Sequence, residues 1–349
     1  MNKKYLETYS NFLIASTKSA HSTDLQKITD SEFSKDSVYR FLSSGQFCEK
    51  NYWLSIRKTL RSVEDSNACI SFDDTIVHKP HSQTNEVIEY YWDHTINKSV
   101  KGINILSCTY QTKDISLPLN YRVIRKNKTV TDENGESKRK AEFTKNQSMR
   151  AMLKTAKVNK IKYRYVLADS WYTTNENLKY IHKYLNKLFV CAIKTNRVFK
   201  FLGEDFKQFR KLNKGNFQPG EVYEIELKGC LFPVFLTKQV FKNEDGKEAS
   251  LYLITNDEFL NYDSTIKVYK KRWNIEVYHK SLKQNYSMGK ATVRTVQTII
   301  GHLFCSIYSY VKLEKLKMKT HINHFRLKTK YYLLGLKETF LRLSDLKTA

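Results

Sequence analysis

The sequence predicts an α/β fold: a mixed sheet with flanking helices, a β-rich insertion and a small N-terminal helical domain. Three observations carry this. Residues 1–66 show helical spacing and no strand alternation. From residue 68 onward, β-branched and aromatic strands alternate with helical segments. Between about 195 and 258 the texture changes to short alternating strands set between glycine turns. A chain of 349 residues has room for a full domain with smaller modules. A hydrophobic content of 41% supplies a packed core and excludes a disordered basic tail.

The formal charge of +25 points to a polyanionic partner, with nucleic acid first. The six cysteines are scattered without a CxxC pair, which argues against a zinc site or a disulfide framework and for reduced thiols. No secretory signal follows Met1. The longest apolar run, around 299–311, is interrupted by Gly301, His302 and Ser306 and is too short to cross a bilayer. The expectation is a cytoplasmic, nucleoid-associated protein with no membrane partner.

In the first 66 residues, 36–45 reads as a short helix closed by Gly45, and 50–61 as a basic amphipathic helix. Such a pair serves either as a helix-turn-helix-like DNA-binding domain or as a helical cap on the next domain. Residues 68–77 (Ala-Cys-Ile-Ser-Phe-Asp-Asp-Thr-Ile-Val) then form a strand with acids in its middle. Charge inside a strand is costly without a partner. Alternation puts Asp73 with Ser71 and Thr75, and Asp74 with Phe72 and Ile76, so Asp73 lies on the more polar face and is the expected ligand.

Further strands are expected at 102–110 and 117–125. The aromatic connection Tyr90-Tyr-Trp-Asp-His94 either packs or touches nucleic acid, and the polar stretch 127–139 reads as a loop. A helix over 142–157 leads to a strand at 163–168, which ends at Asp169-Ser-Trp-Tyr-Thr-Thr. An acid where a strand runs out before a helix is a common functional position in α/β sheets. A helix over 175–185, capped by Thr173 or Thr174, and a strand at 188–193 come next. The insertion contributes strands at 221–227, 230–236 and 250–254, with turns at Gly220, Gly229 and Asn243-Glu-Asp-Gly246.

Tyr269-Lys-Lys-Arg272-Trp-Asn-Ile-Glu276-Val-Tyr-His-Lys-Ser-Leu-Lys283 contains no Gly or Pro and reads as one helix. At about 100° per residue, Tyr269, Arg272, Glu276 and Lys283 share one stripe roughly 60° wide. Val268, Ile275 and Leu282 face inward. Taken alone, the stripe is equally a solvated face carrying an i,i+4 Arg272–Glu276 pair. The remainder to 349, from about 290, reads as a helical basic tail.

Without the insertion and both ends, the order is three strands, helix, strand, helix, strand, helix. That is the ribonuclease H-like order. It makes the first and fourth strands neighbours and lays the last helix across them, so Asp73, Asp169 and Glu276 converge. The expected domains are a helical DNA-binding domain at 1–66 and a ribonuclease H-like catalytic domain at 67–349. The latter includes the β-rich insertion.

Over about 66–315 the sequence resembles the DDE transposases of bacterial insertion sequences, in the group whose helix carries a Tyr-(2)-Arg-(3)-Glu-(6)-Lys signature. Tyr269, Arg272, Glu276 and Lys283 match that spacing. Phe72-Asp73-Asp74-Thr75 looks like the family's first Asp block and Leu167-Ala-Asp169-Ser-Trp-Tyr like its second. The resemblance implies cut-and-paste DNA transposition, with end cleavage followed by strand transfer. It implies two Mg2+ ions, replaceable by Mn2+, on the hard oxygen ligands Asp73, Asp169 and Glu276. Tyr269, Arg272 and Lys283 would hold double-stranded DNA at the element ends, and a dimer would form on synapsed ends. Several family members use a Trp in the insertion to hold a flipped base. Here Trp53, Trp92, Trp171 and Trp273 all lie outside it, so either Phe199, Phe201, Phe206, Phe209 or Phe217 substitutes or the hairpin step at the element end differs.

Overall fold

A computed structural model describes residues 1–345 except 18, 132, 134, 202, 210–217, 243–245, 247 and 291. Four helices open the chain: α1 (Lys3–Ala15), α2 (Ser22–Ile28), α3 (Lys35–Leu42) and α4 (Glu49–Arg61). Strands β1 (Cys69–His78), β2 (Glu89–Asp93), β3 (Lys98–Gln111) and β4 (Ser116–Val123) come next, then a hairpin of β5 (Lys128–Thr131) and β6 (Ser137–Lys140). The chain continues through α5 (Lys145–Val158), β7 (Tyr165–Ala168), α6 (Asn175–Lys179) and β8 (Leu188–Ala192). A π-helical turn, Tyr180–Tyr184, extends α6. Strands β9 (Val198–Lys200), β10 (Lys207–Gln208), β11 (Val222–Leu227), β12 (Val234–Lys242) and β13 (Glu248–Thr255) precede α7 (Tyr262–Lys270), α8 (Trp273–Asn285), α9 (Val296–Thr320) and α10 (His324–Asp345).

The sheet explains why the acids meet. β1 pairs antiparallel with β3, and β3 with β4. On its other edge β1 pairs parallel with β7, and β7 parallel with β8. The order β4-β3-β1-β7-β8, three antiparallel strands and then two parallel ones, is the ribonuclease H-like sheet. β1 is buried from Cys69 to Phe72 and first emerges from the core at the two acids. Parallel pairing sets Phe72 opposite Ala168, so Asp73 and Asp169 each stand one residue beyond a matched pair.

The 195–258 segment is β-rich as expected, but it does not stand apart from the sheet. β13 pairs antiparallel with β8, and β12, β11, β9 and β10 continue outward from it. β8 carries a buried hydrogen-bonding edge, and pairing with β13 satisfies it. The turn expected at 243–246 has only Gly246, at positive φ, among the described residues. Two connections read as irregular are extended: Tyr90–His94 falls largely in β2, and 127–139 contains the β5–β6 hairpin. The hairpin is exposed throughout and β2 alternates only between half-buried and exposed, so neither buries a face fully.

The expected single helix over 269–283 is two helices. Its joint is tightened by i→i−3 bonds from Lys271 to Val268, Arg272 to Tyr269 and Asn274 to Lys271. Lys271 and Arg272 keep helical backbone angles, so residue chemistry alone carries no break signal there. α7 lies over the β7–β8 side, with Val268 and Tyr269 packed on Cys69, Tyr165, Leu167 and Val190. α8 crosses β1, β3 and β4, with Ile275, Tyr278 and Leu282 buried.

α9 is the axis of the rest. It packs on α1, α3, α4 and β4, so the first four helices share one continuous apolar core with the sheet domain. Its interior polar groups are partnered: Tyr9 Oη lies 3.0 Å from His302 Nδ1 and the Ser287 carbonyl 3.0 Å from His302 Nε2. A Cβ at Gly301 would fall inside the Leu42 carbonyl, so glycine is required where α3 and α9 touch. Among the described residues no helix is long and apolar enough to cross a membrane.

Candidate active site

Strand alternation separates the two neighbouring acids of β1. Asp74 points to the side covered by α5, where three donors meet it. Lys145 Nζ lies at 2.6 Å from Oδ2, the Tyr172 hydroxyl at 2.6 Å from Oδ1 and Asn104 Nδ2 at 3.1 Å from Oδ2. Burial opposes its charge, but Lys145, Tyr172 and Asn104 outweigh that and hold the carboxyl below its ordinary range. Asp73 points to the α8 side. Its Oδ1 accepts the Asp74 N–H at 2.9 Å, and His279 Nδ1 stands 3.8 Å from Oδ2. Burial, then Asp169 and Asp74, push Asp73 up to about 7. One acid of the pair is therefore already neutralised by a lysine, and the other is not.

Asp169 begins the loop after β7. Its Oδ1 accepts the Trp171 N–H at 2.9 Å and the Tyr172 N–H at 3.4 Å, an Asx turn that fixes the carboxylate as the chain leaves the sheet. Among the described residues its Oδ2 takes no hydrogen bond. Burial raises its pKa against those two backbone bonds. Tyr172 thus touches both blocks, its N–H on Asp169 and its hydroxyl on Asp74.

Glu276 sits in the first turn of α8, four residues after Arg272, whose Nη2 donates to Glu276 Oε1 at 2.7 Å. The Arg272 guanidinium lies 5.5 Å from the Tyr269 ring centroid, and its Nε is buried with no partner among the described residues. Burial works against this cation, but Tyr269, Glu276 and Asp73 outweigh it and strengthen its charge. Burial raises the Tyr269 phenol to about 12. His279 is buried, with Nε2 3.0 Å from Ser107 Oγ, and burial depresses it to about 3, so the ring is neutral.

Asp73, Asp169, Glu276 and Lys283 line one cleft of about 810 Å3. Arg272 stands behind Glu276, and Tyr269 supports Arg272 rather than lining the cleft. The rim is cationic and aromatic. Lys194 Nζ lies 4.6 Å from the Trp171 ring, His94 faces Trp171 at 6.4 Å, and Trp92 is about half exposed. Lys145, Asn104, Tyr172 and Lys194 escaped the sequence reading. Asn104 alone carried a signal, as a lone amide within the apolar run of β3. None of the described candidates Phe199, Phe201, Phe206 and Phe209 lines this cleft. Phe199 and Phe209 are buried, Phe201 is half-buried, Phe206 lies under Lys200, and Phe217 lies outside the described residues.

The donor set suits a hard divalent cation. Three carboxylates, no cysteine and a neutral histidine turned to Ser107 make an oxygen site. Asp73, buried beside other acids, lacks the countercharge that such an ion supplies. The cage is not closed, and Glu276 is held by Arg272. Among the described residues no three His, Cys, Asp or Glu side chains stand close enough to grip an ion.

A ribonuclease H-like sheet with one acid within β1 and another just past the end of its parallel neighbour β7, under a cationic rim, points to a nucleic-acid-cleaving enzyme. Residues 13–214 match the model of the DDE superfamily endonuclease family, more than half of the chain, and the protein belongs to that family. The match includes Asp73 and Asp169 and stops short of α7 and α8. No curated protein matches the chain.

Proposed function

We propose that the chain is a DDE transposase that binds the ends of an insertion sequence and catalyses metal-dependent strand cleavage and strand transfer. The parallel register of β1 and β7, which sets Asp73 beside Asp169 in the cleft that Glu276 lines, supports this most strongly. Asp73, Asp169 and Glu276 would hold Mg2+, two ions in all, or Mn2+ in its place. When bound, these ions supply Lewis-acid activation of the attacking hydroxyl and stabilise the leaving 3′ oxygen. The rest falls to the protein. Asp74 is engaged by Lys145 and Tyr172 and so holds the Asp169 loop against β1. Lys283, with Lys280 and Lys194 on the same cleft, grips terminal phosphates. Arg272 reaches a phosphate once Glu276 leaves it, and Tyr269 keeps its guanidinium in place. His279, neutral and fixed on Ser107, carries no proton in the reaction. The N-terminal helices present Arg40, Arg57 and Lys58 to DNA, and two copies act on synapsed ends.

The test is cleavage of labelled element ends, taken from the inverted repeats flanking the gene, in Mg2+. Glu276→Gln abolishes cleavage while end binding stays measurable; full cleavage by that variant removes Glu276 from the site. Cleavage without a strand-transfer product in the unmodified protein assigns the chain instead to the nucleases or resolvases of the same fold.

A further inference from the structure

The β-rich segment 195–258 lends no group to the cleft. Among the described residues none of its side chains lines it, and Lys194, which does, stands just before the segment. The segment nevertheless reaches the loop that carries Asp169. Arg197 Nη1 donates to the Thr173 carbonyl at 2.7 Å, and Nη2 donates to the Asn175 side-chain oxygen. Thr173 is buried, and its hydroxyl donates to the Asp169 carbonyl at 2.8 Å. Two hydrogen bonds therefore separate the guanidinium from the backbone of the acid. The turn between β11 and β12 meets the same place, where the Lys228 carbonyl accepts from Asn175 Nδ2 at 3.0 Å. Gly229, at φ +87°, comes so close that a Cβ there would enter the Asn175 amide.

We infer that Arg197 is a positioning residue for Asp169, and that the β-rich segment serves the acid site through it, by bracing the loop between Asp169 and Asn175. The loop is gripped from three sides. The Tyr172 hydroxyl ties it to Asp74 on β1. Asn177 Nδ2, whose own oxygen is held by Arg150 of α5, donates to the Tyr172 carbonyl at 2.8 Å. Both of these grips fall on Tyr172. Arg197 supplies the third, on the residues that lead into α6. An arginine suits the place, because its planar fork reaches a carbonyl and an amide oxygen together, which a single ammonium does less well. The bracing matters because Asp169 Oδ1 is spent on the Trp171 and Tyr172 N–H groups, so the carboxylate meets an ion in the geometry that this turn sets. Partners that fix a ligand in this way govern how tightly its metal is held. The link to metal rests on the proposed function; the bracing is a property of the protein alone.

The test starts on the full chain without DNA or metal. In hydrogen–deuterium exchange, Arg197→Ala is expected to speed exchange of the 170–175 amides about tenfold or more while β1 and β7 keep their protection. The Trp171 and Tyr172 amides report directly, since both donate to Asp169. Arg164→Ala, at the opposite end of β7 and paired with Asp257, is expected to leave 170–175 unchanged. The Mg2+ concentration that gives half of the ion's rise in melting temperature is expected to increase about tenfold in Arg197→Ala. Should that variant not fold, Arg197→Met, which keeps the apolar stem, decides in its place. Unchanged exchange at 170–175 overturns the inference, as do a rise shared equally by β1 and β7, equal loosening by Arg164→Ala, or an unchanged Mg2+ requirement. A protein that shows the bracing but cleaves no element ends overturns the transposase reading and leaves the role of Arg197 standing.

Discussion

Replacing Asp73 with Asn is expected to stabilise the metal-free protein, which is unusual for a change at a buried charge. Burial, Asp169 and Asp74 raise the Asp73 carboxyl from its ordinary 3.8 to about 7. The folded state therefore holds this proton more tightly than the unfolded chain does. Its contribution is fully favourable below about pH 4, declines as pH rises through the interval up to about 7, and above that is a constant penalty. About three pKa units correspond to roughly 4 kcal/mol as an upper bound at 1.36 kcal/mol per unit. Asn mimics the protonated carboxyl and removes the penalty. Thermal unfolding in EDTA should thus show wild type and Asp73→Asn melting together near pH 4, with the variant several degrees higher near pH 8. Adding Mg2+ near pH 8 should raise the wild-type melting temperature, because the ion binds the ionised carboxylate only in the folded state, and should raise the variant's much less. Equal melting at both pH values, or a variant less stable near pH 8, would refute the claim that Asp73 is an uncompensated acid.

The neighbouring acid should behave in the opposite way: Asp74→Asn leaves Lys145 without its partner at 2.6 Å and is expected to cost about 2 kcal/mol in denaturant unfolding. Glu314 is buried between the Ser116 N–H, Lys317 and His324, and these hold its carboxyl low against the pull of burial. Its stabilisation is present above the unfolded-chain value and lost as pH falls through the lower folded value, so Glu314→Gln should cost about 2–3 kcal/mol at neutral pH and flatten the acid limb of the stability curve. Gly301→Ala forces a Cβ into the Leu42 carbonyl and should lower stability by about 1–3 kcal/mol, read as a lower melting temperature with cleavage retained below it.

How much of this was legible in the sequence depends on where a face is buried. The strands β1, β3, β4, β7 and β8 announced themselves because apolar alternation survives wherever a face packs. Asp73 and Asp169 were found because acids are out of place in such runs. The β5–β6 hairpin and β2 went unread because neither buries a full face. Single-residue partners were beyond reach for another reason. Lys145 and Tyr172 meet Asp74 across separations of 71 and 98 residues, fixed by sheet register and not by local pattern. The joint between α7 and α8 was invisible because Lys271 and Arg272 keep helical angles while their hydrogen bonds shift by one residue.

That joint changes how the Tyr269–Lys283 stretch works. An i,i+4 Arg272–Glu276 pair and a three-carboxylate metal site look like competing readings of one helix face, and the geometry contains the first in full. The two are successive demands on the same side chains. Asp73, Asp169 and Glu276 share a low-dielectric cleft, and without a cation their repulsion must be met from within the protein. Arg272, 14% exposed, meets it only in part: it pairs with Glu276 and pulls the Asp73 pKa down, yet Asp73 still stands at about 7. The sheet side of the site, Asp73 and Asp169, is set rigidly by backbone register. The helix side hangs on a salt bridge that a single rotamer change can exchange. An arginine committed to Glu276 is unavailable to a phosphate, and one released from it stands beside the acids with a buried Nε already lacking a partner. Under the proposed function, the charge pair that makes the stretch look like an ordinary surface helix would keep the guanidinium beside the acids until phosphate and metal arrive together.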